Sequence, residues 1–166
     1  MAHHSFTGAS EATESKEHAM AGDGVKIPGW LKPMNRAMVA VSRIGVSLPM
    51  ALLTVPGRKT GKPRTTPITP FEYQGVEYVL GGIPGADWVR NVQAAATAEL
   101  KIGRRKRTVR LVEVPVAESE PVLREFPRLV PTGVPIMIKS GVVTSDDPDE
   151  FAALAGRCTL FRIEDA

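Results

Sequence analysis

The sequence predicts an α+β fold with a barrel-like sheet. Three observations carry that expectation. Six stretches read as strands, and most of them are joined as hairpins. Helical patterns stand before, between and after these strands. The regular strand–helix alternation of a doubly wound parallel sheet is missing.

Taken in order, residues 1–24 are small, polar and without hydrophobic period, so they read as a disordered tail ahead of one domain at 25–166. After Pro28-Gly29, Trp30, Met34, Met38, Val41, Ile44 and Leu48 recur at steps of three and four, while Lys32, Arg36 and Arg43 sit off that stripe. This spacing predicts an N-terminal amphipathic helix over 30–48, with Pro33 tolerated in its first turn. Packing on its own domain is the favoured use of its apolar face; a lid over a ligand site or a membrane-surface helix are the alternatives. Strands follow at 50–55, 64–73 and 76–82, the last two joined at Gln74-Gly75. Gly81-Gly82-Ile83-Pro84-Gly85 reads as a loop, and Asp87 is placed to cap a short helix through Ala96. Segments 99–102 and 106–114 form a second hairpin about Gly103-Arg104. A helix is expected at 117–126, with Pro121 in its first turn and Pro127 ending it. A short helix at 148–154, capped by Asp146 or Asp147, precedes a closing strand at 157–163.

Composition bounds the function. The 166 residues are 43% hydrophobic and 23% charged, as in an ordinary globular domain. No apolar run reaches the roughly 20 residues of a membrane span, and the N-terminus lacks a secretory layout. Cys158 is the single cysteine, so an internal disulfide is impossible and the cytosol is the expected compartment. Residues 25–166 hold 20 cations against 14 acids, a formal +6 that favours an anionic partner. All three histidines precede residue 19, which argues against a His-based metal site or catalytic triad. The carboxylates show no metal-ligand spacing either, so no metal is expected.

The most informative stretch is Leu53-Thr54-Val55-Pro56-Gly57-Arg58-Lys59-Thr60-Gly61-Lys62-Pro63-Arg64-Thr65-Thr66-Pro67. A strand ends in a loop bounded by glycines, and Arg58, Lys59, Lys62 and Arg64 place four cations within seven residues without an acid. Aligned N–H groups with Arg or Lys countercharge suit a phosphate or carboxylate. A P-loop is excluded, because three residues rather than four separate Gly57 from Gly61-Lys62, and Pro63 replaces Ser or Thr.

The order of motifs then matters. Leu53-x-x-x-Gly57-Arg58-Lys59-Thr60-Gly61-x-x-Arg64-x-x-Pro67 is followed by Tyr78-Val79-Leu80-Gly81-Gly82, by Gly85-x-x-Trp88-x-x-Asn91, and by Ala94-Ala95-Ala96. This succession resembles the deazaflavin (F420)-dependent nitroreductase family, the actinobacterial class A flavin/deazaflavin oxidoreductases. The resemblance is good over about residues 30–115 and weak in the C-terminal third. It implies a split β-barrel of the FMN-binding kind, with coenzyme F420 as cofactor and FMN second to it. F420 is an 8-hydroxy-5-deazaflavin with a phosphodiester and a polyglutamate tail. By that resemblance Arg58, Lys59, Thr60, Gly61 and Arg64 hold the phosphate and tail, Pro67 completes the motif, and the backbone of Gly81 and Gly82 meets the ring. Trp88 and Asn91 pack beside the cofactor and support the loop before it. Two departures stand out. Relatives often carry a Ser-Lys-Gly-Gly loop where this chain has Gly81-Gly82-Ile83-Pro84-Gly85-Ala86-Asp87. They also use C-terminal tyrosines around the substrate, whereas Tyr73 and Tyr78 are the only tyrosines here. No catalytic residue is assigned.

The implied activity is hydride transfer from reduced F420 to a small hydrophobic quinone, nitro or activated-alkene substrate, by a monomer or homodimer. The alternatives are a non-catalytic carrier of a lipid or other hydrophobic ligand, and a module for anionic membranes or nucleic acid. The last would use Lys101, Arg104, Arg105, Lys106, Arg107 and Arg110. No aromatic residue lies between Trp88 and Phe126 to stack bases, so nucleic acid is not expected, while peripheral membrane contact stays open. Cys158 reads as a buried small hydrophobe. Val134, Ile136, Met137, Ile138, Val142 and Val143 read first as packing and second as pocket lining.

Overall fold

The computed structural model describes residues 50–166 together with Gly29, Lys32, Pro33 and Arg36. Lys32, Pro33 and Arg36 are helical; the rest of the helix expected at 30–48, and the tail at 1–24, lie outside the described residues. Seven strands follow: β1 Ala51–Pro56, β2 Pro63–Ile68, β3 Phe71–Tyr73, β4 Val76–Gly81, β5 Ala98–Ile102, β6 Arg105–Glu113 and β7 Thr159–Asp165. They form one antiparallel sheet in the order β2-β1-β5-β6-β7-β4-β3. Its two edge strands, β2 and β3, are consecutive in the chain and joined only by Thr69 and Pro70. Three Cα–Cα steps span at most about 11 Å. The sheet must therefore curl until its edges nearly meet, which makes it a split barrel.

The expected single strand at 64–73 is thus two. Pro70 has no N–H for a ladder and biases Thr69 away from helix, so the chain crosses from one edge to the other there. Prolines within strands are tolerated on free edges, and Pro63 and Pro67 both lie in edge strand β2. The β3–β4 turn has positive φ at both Gln74 (50°) and Gly75 (77°), the geometry that matches the twist of a tight hairpin.

Four helices complete the chain: α1 Asp87–Ala94, α2 Val116–Leu129, α3 Val134–Lys139 and α4 Pro148–Ala152. Helix α2 runs past the stop expected at Pro127, because a proline deletes only one backbone bond while Val122, Leu123 and Phe126 hold this face in the core. Helix α3 was not expected. In α4, Asp147 is the N-cap, and its carboxylate accepts from the Asp149 N–H at 2.8 Å.

Two cores share the sheet. Inside the barrel, Leu53, Val55, Val79, Leu100, Val109 and Phe161 pack with Val89 and Val92 of α1. On the outer face, Phe71, Leu80 and Leu160 pack with Leu123, Phe126, Met137 and Phe151 from the C-terminal helices. Neighbours on a strand face opposite ways, so Val79-Leu80 and Leu160-Phe161 serve both cores. Full burial of each such side chain is worth about 1.5–3 kcal/mol.

Candidate functional site

The basic loop between β1 and β2 is built by its own hydrogen bonds. The Gly57 N–H donates to Lys62 O and the Gly61 N–H to Gly57 O, both at 2.8 Å. The Lys62 N–H donates to Thr60 Oγ1 at 3.3 Å. Gly61 has φ +71°, a conformation that favours glycine. The Arg58 N–H donates to Asn91 Oδ1 at 3.1 Å. These bonds commit the amides of Gly57, Arg58, Gly61 and Lys62, leaving those of Lys59 and Thr60. The aligned N–H groups that the sequence offers to an anion are therefore limited to these two.

Arg58 has a different part from its neighbours. Its Nη1 donates to Asn91 Oδ1 at 3.0 Å and to the Asp87 carbonyl at 3.4 Å, while Nη2 donates to Asp87 Oδ1 at 3.0 Å. Asn91 is only 7% exposed. Arg58 thereby ties the loop to the first two turns of α1. Asp87, expected to cap that helix, makes no cap; Ala86 occupies the N-cap position without a side-chain bond. The other loop cations, Lys59, Lys62 and Arg64, are exposed and make no ion pair with any described residue. Among the described residues they supply the positive charge that no acid pairs.

Below the loop lies a cavity of about 350 Å³. Thr66, Pro67 and Ile68 of β2, Gly82 and Ile83 after β4, and Ala86, Asp87 and Trp88 at the start of α1 form one side. Phe126 and Val130 at the end of α2, with Ile136 and Met137 of α3, form the other. Asp87 belongs to both loop brace and cavity wall, which makes the two regions contiguous. Arg64 and Thr66 share a face of β2, since they stand opposite Val55 and Leu53 of β1. The cation is thus about 7 Å along the strand from the cavity wall.

The expected site residues separate into three groups. Pro67, Gly82 and Trp88 line the cavity. Arg58, Thr60, Gly61 and Asn91 build and brace the loop. Lys59 and Arg64, joined by Lys62, carry the exposed charge. Gly81 is a packing position: a Cβ there would stand 2.6 Å from Val89 Cγ2. At Gly82 a Cβ would meet Met137 Sδ at 3.2 Å, so a side chain would crowd the cavity.

Sequence reasoning missed Thr66, Thr69, Ile83, Ala86 and Asp87 as wall residues, together with Phe126 and Val130, whose four-residue spacing on a helix was the available signal. Within the C-terminal apolar set, Ile136 and Met137 reach the cavity; Val134, Val142 and Val143 are core, and Ile138 is 40% exposed. Neither tyrosine lines the cavity.

Cys158 lies against the Gly82 carbonyl, with its Sγ 3.9 Å from that oxygen. Burial pushes its thiol up to about 12, so it remains protonated and unreactive. The second basic cluster is largely paired. Lys106 meets Glu99 at 3.2 Å, Arg110 meets Glu164 at 3.5 Å, and Arg107 binds both Glu77 and Asp165. Among the described residues no His/Cys/Asp/Glu group could hold a metal ion, and no helix is long and apolar enough to cross a membrane.

Comparison with known proteins gives one match of sequence pattern and several of shape. Residues 32–134 match the model of the F420H(2)-dependent quinone reductase family. No curated protein matches the chain. Among solved structures, one described as a domain-swapped dimer is 23% identical, covering 80% of this chain and 99% of its own at a TM-score of 0.46. An F420-H2 dependent reductase, FDR-A, is also 23% identical, covering 72% and 96%, at 0.45. A protein of unknown function from Agrobacterium tumefaciens is 16% identical, covering 87% of this chain and 59% of its own, at 0.47.

Proposed function

This chain belongs to the F420H(2)-dependent quinone reductase family and is an F420-dependent oxidoreductase; from that premise we propose that it reduces a hydrophobic quinone bound beside the deazaflavin ring. The residues fit the cofactor. An apolar cavity suited to a planar ring adjoins three cations that have no ion pair among the described residues, the pairing a deazaflavin with an anionic tail requires. That juxtaposition is the observation that carries the reading. Nitro compounds and activated alkenes are the other acceptors the same chemistry serves.

When bound, reduced F420 supplies a hydride; the protein's work is to bind, orient and exclude water. Lys59, Lys62 and Arg64 hold the phosphate and tail through charge-assisted contacts. Arg58 holds no anion; it keeps the loop in register with α1. Trp88, seated on Phe161 with ring centroids 6.1 Å apart, and Met137 on the opposite wall confine the ring and keep water away. Among the described residues Lys32 and Asp87 are the titratable side chains on the wall, and Asp87 is already bound to Arg58.

Titration of the purified protein with F420, followed by its fluorescence, tests the reading. Lys59→Ala should weaken binding about tenfold at moderate salt, less at high salt, because the interaction lies at an exposed position. F420H2 oxidation by menadione should fall with it at subsaturating cofactor. Unchanged affinity in Lys59→Ala would remove the loop from the cofactor site.

A further inference from the structure

Thr65 and Thr66 are neighbours in β2 with opposite surroundings. Thr65 Oγ1 lies 2.8 Å from Thr54 Oγ1, a pair between strands that occupies its hydroxyl. Thr66 stands opposite Leu53, a fully buried barrel residue, and lines the cavity with Ile68, Leu80, Trp88 and Phe126. Its hydroxyl is bonded to no described residue. Of the other polar wall side chains, Asp87 holds Arg58, Lys32 has a partner of its own, Thr69 is exposed on the link between the edge strands, and Trp88 offers only its indole N–H. Thr66 is half-buried rather than sealed from water, and a ligand that fills the cavity displaces that water and must satisfy the hydroxyl or leave it unpaired. Its β-branched side chain on a strand has restricted χ1, so the hydroxyl is held in place before binding.

We propose that Thr66 Oγ1 is a hydrogen-bonding group of the cavity wall and donates to a carbonyl oxygen of the planar conjugated ring bound there. This rests on the reading of the cavity as the site of cofactor ring and substrate. Two ligands present that chemistry, the carbonyl edge of the deazaflavin and a quinone oxygen.

Thr66→Val keeps the shape and removes the hydroxyl, while Thr66→Ser keeps the hydroxyl and removes a methyl. Each variant is compared with the wild type for F420 affinity by cofactor fluorescence, for menadione affinity by quenching of tryptophan emission without F420, and for melting temperature. Thr66→Val should weaken one ligand about tenfold, the cost of an unmade hydrogen bond in an apolar site, and Thr66→Ser should stay within about threefold. The affinity that moves identifies which carbonyl is bound. If Thr66→Val leaves both affinities within about twofold, or if Thr66→Ser loses as much as Thr66→Val, the assignment is wrong. Should Thr66→Val melt well below the wild type, Thr66→Ala replaces it. Absence of F420 binding in the wild type would instead overturn the cofactor reading, and the menadione measurement alone would then decide Thr66.

Discussion

Asn91 Oδ1 accepts from both the main chain and the guanidinium of Arg58, at 3.1 and 3.0 Å, from a position 7% exposed to solvent. A buried acceptor with two donors is costly to remove, because both donors lose their partner. Asn91→Ala should therefore destabilise the fold by about 1–3 kcal/mol. It should also weaken F420 binding several-fold without touching the cofactor, since the loop that displays Lys59 and Lys62 loses its anchor. A double-mutant cycle separates this from two independent effects: Arg58→Ala combined with Asn91→Ala should weaken F420 binding little more than either change alone. Full additivity would mean that Arg58 binds the anion itself.

At the scale of elements, the seating of α1 on β4 sets the relation between loop and cavity. Gly81 permits that seating: a Cβ there would stand 2.6 Å from Val89 Cγ2 and 3.3 Å from the Thr159 carbonyl of β7. The carbonyl cannot yield without disturbing the β4–β7 ladder, so α1 must shift outward. Gly81→Ala should cost about 1–3 kcal/mol, as overpacked cores do. Because α1 carries Asp87, Trp88 and Asn91, the same change should lower F420 affinity, measurable by the fluorescence titration alongside urea denaturation. A stable variant with normal affinity would show that the seating is not critical. The short helix α4 is held in a different way: Glu150 accepts from the Thr144 N–H and hydroxyl at 2.7 and 2.6 Å and from the Ser145 hydroxyl at 2.7 Å.

For the whole molecule, those bonds to Glu150 make stability depend on acid. The Thr144 hydroxyl, the Thr144 N–H and the Ser145 hydroxyl hold its carboxyl down to about 2, against an ordinary value of 4.5. A carboxyl depressed in the folded state contributes stability above its unfolded value and loses it as pH falls through the folded one. The contribution is therefore complete above about pH 4.5 and gone near pH 2. Glu150→Gln should melt below the wild type at neutral pH, and the difference should shrink as pH falls through that window. A difference independent of pH would mean that packing, not ionisation, gives Glu150 its role. Phe126 of α2 stacks on Phe151 of α4 at 5.6 Å and meets Phe71 of β3 edge-on at 5.4 Å, which ties α4 to the helical layer over the sheet.

Some of this was fully legible in the sequence. Gly-turn hairpins, alternating strands and capping Asp147 are local signals, governed by backbone sterics and side-chain period, and they specified most elements of the α+β sheet. The cationic loop and its strand boundaries were legible for the same reason. Tertiary structure alone decided three things. The strand expected at 64–73 divides at Pro70 because the sheet curls, and curling is set by the pairing of all seven strands rather than by any one. Four equivalent-looking cations become one brace and three charges without an ion pair among the described residues, because α1 brings Asp87 and Asn91 to Arg58 across some thirty residues of chain. Thr65 and Thr66, alike in sequence, part because a strand turns neighbours to opposite faces, and only the folded sheet brings Thr54 to the one and the cavity to the other.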